Sequence, residues 1–363
     1  MLAPLLFSLL LSWGCYHDAD RALALAHGAT VEPLSLASRA RYVIFHVRQR
    51  LALFLIPVLL LLLEKELRRF FPGLARDWRA QLVVVGGLAV AGVVVGLPWA
   101  LRTLLGLTPL PEGALRDRLE QAGRRLGFRA TDILLWNTGG QVANALVVGL
   151  IPGMRYVLLT DRLVEELTPE EVEAVFGHEV GHVKHRHLLL YLAFLGASSL
   201  AVILALAPYL ANLEETLSFH GRPDLAMIPV VAATGAYIFL VFGFLSRRCE
   251  RQADVYGCRA VSCLETACQG HAEGQPRAGG GLCPTGVLTF IRALEKVARV
   301  NGIHPDRPGF LQSWQHSTIA RRVGFLKTLL SDPQAEQRFQ RRVLMVKVGL
   351  FAALGLALLL HFV

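Results

Sequence analysis

The chain has 363 residues, 53% of them hydrophobic, with a mean hydropathy of +0.46 and a net charge of +9. That composition excludes an ordinary soluble globular enzyme and fits a membrane protein with polar portions. The basic residues cluster beside apolar segments, which favours anionic lipid head groups over nucleic acid; no nucleic-acid motif and no basic–aromatic interleaving is present.

From the N-terminus, residues 2–13 are apolar but short for a span, and they lack the basic start of a signal peptide. Residues 43–63 and 82–101 read as membrane spans, as do 188–210, 225–245 and the terminal 343–363. A buried core helix is the competing reading for each. The middle three are uncharged over about 20 residues, which weighs against it. Region 1–110 is therefore expected to be membrane-embedded, and 188–245 to form a transmembrane hairpin.

Two polar blocks lie between the spans, at 111–187 and 246–342. The first opens with an amphipathic helix over 112–126. Strand-like runs follow at 132–136, 141–150 and 156–160, with Pro152-Gly153 as a turn before the last. The hairpin returns the second block to the first, so one α+β domain can be assembled from two chain segments. The loop at 211–224 carries one Arg and three acids, whereas Lys184, Arg186, Arg247, Arg248, Arg251 and Arg259 lie at the other end of the spans. That asymmetry puts both polar blocks in the cytoplasm; the membrane expected is a bacterial inner (plasma) membrane. The basic stretch at 64–81 runs against this orientation, and its aromatic residues suit an interfacial position.

The chemistry concentrates in Phe176-Gly-His-Glu-Val-Gly-His182. Thr168 suits an N-cap, Pro169 the first helical position and Glu171 a capping box. On the helix that follows, His178 and His182 lie one turn apart on one face and can share a Zn²⁺. Glu179, rotated by about 100°, is free to act as general base toward water. Two surface histidines are the competing reading; the cap and the apolar spacing of Val172, Val175, Phe176, Val180 and Val183 argue against it. A catalytic zinc needs a third protein ligand. Glu250 is the candidate, with Asp254 four residues on, on the same face, able to fix the tautomer of a ligand histidine. His185 lies near the same face as His182, but its basic neighbours Lys184 and Arg186 suit an interfacial role.

His-Glu-x-x-His paired with Glu250-x-x-x-Asp254 after a membrane hairpin resembles the integral-membrane gluzincin endopeptidases, which include the HtpX-type heat-shock protease and the type I CAAX prenyl endopeptidase. Asn144-Ala145, Pro152-Gly153 and Tyr156-Val-Leu-Leu-Thr160 resemble that family's edge-strand region. The run from Leu167 to Glu179 is similar to its entry to the metal helix. His316-Ser-Thr-Ile-Ala-Arg-Arg322-Val resembles its late His-Pro-x-x-x-x-Arg-Ile motif, with Ser317 where Pro is usual. The resemblance spans about 111–325. It implies a mainly α membrane protein with a zincin-like α+β domain, peptide or protein substrates, one catalytic zinc held by His178, His182 and Glu250, and Glu179 as base.

His316 is then a candidate oxyanion donor, with Arg322 orienting it or pairing nearby, behind the ligands with Asp254; a plain histidine at a helix start is the alternative. The strand around Asn144 and Ala145 could pair with an extended substrate, against a plain core strand. The rival function class is a non-catalytic metal-binding scaffold or sensor. A transporter is disfavoured, because the charged residues sit outside the spans. Cys258, Cys263, Cys268 and Cys283, with His271 between, are candidates for a second, structural metal; buried thiols or disulfides are the alternative.

Overall fold

In the computed structural model the protein is mainly helical with a small sheet. The structure describes residues 96–217, 227–262, 282–306, 316–332 and 334–362, together with 3–26, 35–48, 65–66, 69–70 and 92. In chain order the elements are α1 (Ala3–Ala26), β1 (Thr108–Pro109), α2 (Ala114–Arg125), β2 (Asp132–Trp136), β3 (Ala145–Val148), β4 (Tyr156–Thr160), α3 (Asp161–Glu166), α4 (Pro169–Lys184), α5 (His187–Leu217), α6 (Met227–Ala260), α7 (Pro284–Val300), α8 (Ile319–Ser331) and α9 (Ala335–Phe362). They fall into two units. One comprises residues up to 110 with 130–140 and 148–161; the other comprises 111–129, 141–147 and 162 onward.

In the first unit, α1 continues well past the apolar run expected at 2–13, through Gly14 to Ala26. Asp18 accepts from Arg39 at 3.0 and 2.5 Å, and Trp13 stacks on His46. β2 pairs in parallel with β4, from Asp132 opposite Tyr156 to Trp136 opposite Thr160, and β1 pairs antiparallel with β2. Strands in parallel pairs tend to be buried on both faces, which is why these two read as unbroken apolar runs rather than alternating ones.

The second unit holds the predicted metal helix. Thr168 Oγ1 accepts from Glu171 N, and Glu171 returns the bond to Thr168 N, so both arms of the capping box form. α4 then buries Val172, Ala174, Phe176 and Val180. Its outer side is tied to α2 through Glu173, a fully buried carboxylate that accepts from both Arg118 and Arg125. Behind α4 the core is built from Ala174, Val255, Phe290, Leu294, Val323 and Leu326, contributed by α4, α6, α7 and α8.

Glycines bring the backbones of α4 and α6 together. A Cβ on Gly177 would stand 2.3 Å from Ala260 Cβ, and one on Gly181 would stand 2.8 Å from Tyr256 Cβ and 3.0 Å from Ala253 Cα. Gly257 closes from the other side, where a Cβ would meet Ala174 O at 2.9 Å. Each glycine on α4 precedes a histidine of the motif, so the close approach also sets the depth of the histidines against α6. Gly177→Val is expected to destabilise the chain by about 1–3 kcal/mol, the usual cost of overpacking a core. It should also weaken metal uptake by moving α6 away. Denaturant midpoints and bound zinc per chain, measured together, check both effects; unchanged metal uptake would refute the second.

α5, α6 and α9 pack around Phe194, Leu245, Cys249 and Leu354. Their other faces expose Leu188, Leu189, Leu240, Leu344, Val348 and Leu356. Among the described residues no helix is long and apolar enough to cross a membrane. The spans read at 43–63 and 82–101 lie largely outside the described residues. Those at 188–210, 225–245 and 343–363 fall on α5, α6 and α9 and extend beyond the residues whose side chains are described.

Candidate metal centre

The centre is assembled on two helices, and the local sequence dictates half of it. One turn of α4 separates His178 from His182, and their Nε2 atoms converge to 3.2 Å. α6 runs on without a break from the apolar 227–245 into Ser246-Arg-Arg-Cys-Glu250, which carries Glu250 to the same point. Glu250 Oε1 is 3.5 Å from His182 Nε2, and Oε2 is 3.9 Å from His178 Nε2. Among the described residues these three form the one group able to hold a metal ion, with ligand atoms within 4.8 Å of one another. Tetrahedral zinc at 2.0–2.1 Å from nitrogen and oxygen needs ligand atoms about 3.3 Å apart. The observed separations bracket that value, and two imidazoles with one carboxylate are a donor set zinc accepts.

Asp254 and Arg322 complete the buried polar layer. Asp254 Oδ1 lies 3.0 Å from His178 Nδ1, an ion-pair distance too oblique for a straight hydrogen bond. Arg322, at the first turn of α8, forks onto both Asp254 oxygens at 2.9 and 2.5 Å and stands 3.9 Å from Glu250 Oε2. Burial opposes charge on both carboxylates, yet each is held below its usual range. For Glu250 the His316 and Arg322 side chains outweigh burial; for Asp254 the Arg322 guanidinium does. Burial likewise opposes charge on His178, but Asp254 and Glu250 raise its pKa above the ordinary histidine value. Burial, with His178 beside it, pushes His182 down to about 4, outweighing the pull of Glu250 and Asp254. Glu179 is pushed up to about 7, chiefly by burial, with a Val147 backbone contact on its carboxylate opposing the rise.

That contact places β3 beside the general-base candidate. Ala143, just before the strand, is held by Asn301 at the C-terminus of α7, which accepts from Ala143 N at 2.9 Å and donates to Ala143 O at 2.8 Å. Asn301 therefore acts as a short stand-in for a neighbouring strand. It is a residue that sequence reasoning missed, since only the Asn-Gly at 301–302 signalled a helix end there. Asn144 and Ala145 sit at the start of β3, with Ala145 buried.

His316 is exposed, with its Nδ1 3.0 Å from Glu250 Oε2. Next to it Ser317 has φ of 66°, a conformation closed to proline, whose ring fixes φ near −65°. The replacement of the usual Pro by Ser thus accompanies a left-handed turn that aims His316 at Glu250. Arg322, expected to orient His316 or to pair nearby, pairs with Asp254. His185 caps the end of α4, stacks on His187 and stays outside the ligand group.

Of the candidate second cluster, Cys263 and Cys268 lie outside the described residues. Cys258 and Cys283 are buried cysteines. Cys283 caps α7 by accepting from Gly286 N, and burial raises the Cys258 thiol well above its ordinary value.

Three comparisons bear on this geometry. Residues 109–340 match the family model described as Peptidase family M48. The chain is 28% identical over 165 residues to "CAAX prenyl protease 1 homolog" of Oryza sativa subsp. japonica, covering 41% of this chain and 37% of that protein. It is 26% identical over 204 residues to "Protease HtpX" of Legionella pneumophila, covering 50% of this chain and 70% of that protein. The crystal structure of S. mikatae Ste24p superposes with a TM-score of 0.54 at 19% identity, over 77% of this chain and 64% of that one, a likeness of fold. The chain spans less than two thirds of the rice protein and of Ste24p. A family match that takes in the metal helix, Glu250, Asp254, His316 and Arg322 covers well over half the sequence, and the chain belongs to peptidase family M48.

Proposed function

We propose that this chain is a membrane-bound, zinc-dependent endopeptidase whose site faces the cytoplasm. The observation that carries the reading is the convergence of His178, His182 and Glu250 at zinc-compatible separations, with Glu179 next to the first ligand. Zinc bound there supplies Lewis acidity toward water and the scissile carbonyl. Glu179 takes the proton of the attacking water and delivers it to the leaving amine. In its doubly protonated form His316 donates from Nδ1 to Glu250 and from Nε2 to the oxygen on which negative charge develops. β3 offers an edge on which an extended peptide can add as a strand, starting at Asn144 and Ala145. Asp254 and Arg322 hold His178 and Glu250 in place and do not touch substrate.

The membrane assignment is supported by the apolar faces that α5, α6 and α9 leave exposed around their common cluster. It also places the chain in the bilayer with a peptide or protein as its partner, and it fits the processing or quality control of membrane proteins. The purified chain should cleave an unstructured polypeptide, stop when a chelator removes the metal, and resume on adding about one equivalent of zinc. Cleavage indifferent to chelation would rule out the zinc mechanism.

Orientation has its own test. Single cysteines at Glu120 and Val300, in a background without native cysteines, should be labelled from the same side, and one at Leu217 from the opposite side. Opposite labelling of Glu120→Cys and Val300→Cys would mean that the two chain segments do not build one cytoplasmic domain.

A further inference from the structure

His187 has no part in the chemistry above, yet it is 1% exposed and stands directly behind a metal ligand. Its Nδ1 is 3.0 Å from His182 Nδ1, and its Nε2 is 3.3 Å from Gln252 Oε1. Gln252 is buried on α6; its Oε1 accepts from Lys347 Nζ at 2.9 Å, and its Nε2 donates to Gln340 Oε1 at 2.5 Å. Lys347 and Gln340 both belong to α9. A path of hydrogen bonds therefore leads from the C-terminal helix to His182.

The placement of His187 is a product of the backbone. On a continuous helix, a residue five positions after His182 would be rotated by about 140° from it and face away. The chain instead breaks at Arg186, a non-glycine residue with φ of 53°, and α5 starts afresh at His187. Such a conformation is strained for a non-glycine residue and persists where the surroundings enforce it. Here it turns the His187 ring back against His182.

Lys347 fixes the direction of every bond in the path. An ammonium only donates, so the Gln252 atom facing it is the oxygen, and the Gln252 amide nitrogen is the atom facing Gln340. The same oxygen faces His187 Nε2, which must then carry the hydrogen. A neutral imidazole has one N–H, so His187 Nδ1 is an acceptor. His182 Nδ1 therefore donates to it, and the lone pair of His182 is left on Nε2, the atom that points at His178 Nε2 and Glu250.

We propose that Lys347, acting through Gln252 and His187, is a positioning residue that holds His182 in the tautomer and ring orientation a metal requires. The C-terminal helix thereby sets how tightly the centre holds its ion. The inference rests on the reading of His178, His182 and Glu250 as a zinc site and adds its control from α9.

The test uses the full-length chain in detergent and measures zinc affinity by competition with a chromophoric chelator. It adds the absorption spectrum with Co²⁺ in place of zinc and the ¹⁵N shifts of the His182 ring in the metal-free protein. Loss of a hydrogen-bond partner behind a metal ligand typically costs about 10–100-fold in affinity. His187→Phe should show a loss of that size. Lys347→Met should weaken zinc in the same direction by a smaller factor, alter the Co²⁺ spectrum and raise the share of His182 protonated at Nε2; Lys347→Arg should restore all three. Because Lys347 is remote from the ion, Lys347→Met decides the matter even where His187→Phe fails to fold. Wild-type zinc affinity, Co²⁺ spectrum and His182 tautomer in Lys347→Met would overturn the proposal while leaving the zinc centre standing. A wild-type chain that takes up no zinc would overturn both.

Discussion

Glu179→Gln is expected to keep about one equivalent of bound zinc and lose cleavage of an unstructured substrate by roughly 10²–10⁴-fold or more, the usual contribution of a positioned acid–base group. Glutamine matches the shape of Glu179 and can still accept from β3, but it cannot take a proton from water. Nothing holds Glu179 in the ligand group, so metal content should not follow activity. The wild-type pH profile should carry the same signature. In the metal-free protein burial pushes the Glu179 carboxyl up to about 7. A cation beside it favours the carboxylate, so its folded pKa falls on metal binding. Activity should thus rise with pH along an acid limb lying below pH 7 and reach a plateau above it. Retained turnover in purified, zinc-loaded Glu179→Gln would remove Glu179 as the base.

Glu250→Ala should give the largest loss of metal. The substitution removes one ligand and also the carboxylate that His316 Nδ1 approaches at 3.0 Å. Arg322 keeps its fork on Asp254, so the fold should survive and the defect should appear in the site. Elemental analysis after gel filtration should fall from about one zinc per chain to near none, with circular dichroism unchanged. Wild-type zinc content in this variant would mean that Glu250 is not a ligand. Proton competition has a predictable sign here as well. Glu250 is held below the ordinary carboxylate range and stays ionised near neutrality. His178 is raised above the ordinary histidine value, so it is the group that must release a proton on metal binding. Zinc affinity should accordingly weaken as pH falls through the neutral range, and the effect should be lost in a chain lacking His178.

How much of this was legible in the sequence can be judged residue by residue. The strands at 132–136 and 156–160 and the helix expected at 112–126 emerge where local pattern placed them, within a residue or two. The strand read at 141–150 shrinks to Ala145–Val148, because Asn301 occupies the backbone of Ala143 and Gly149 adopts φ of 104°. The sequence left Arg322 either to orient His316 or to pair nearby; its partner is Asp254, a buried carboxylate on another helix, which binds a guanidinium more strongly than an exposed imidazole can.

The sequence by itself determined the metal helix. The cap at Thr168, the pairing of His178 with His182 and the separate direction of Glu179 all follow from 3.6 residues per turn and from contacts within one helix. Only the tertiary structure decided what meets that helix. Glu250 reaches the histidines because Gly177, Gly181 and Gly257 let two backbones approach where side chains would keep them apart. His187 reaches His182 because Arg186 breaks the helix in a left-handed turn, and Lys347 reaches Gln252, the partner of His187, because α9 packs against α5. Helical periodicity is written over a few residues, whereas these approaches join parts of the chain far apart in sequence, where no local pattern carries the distance between them.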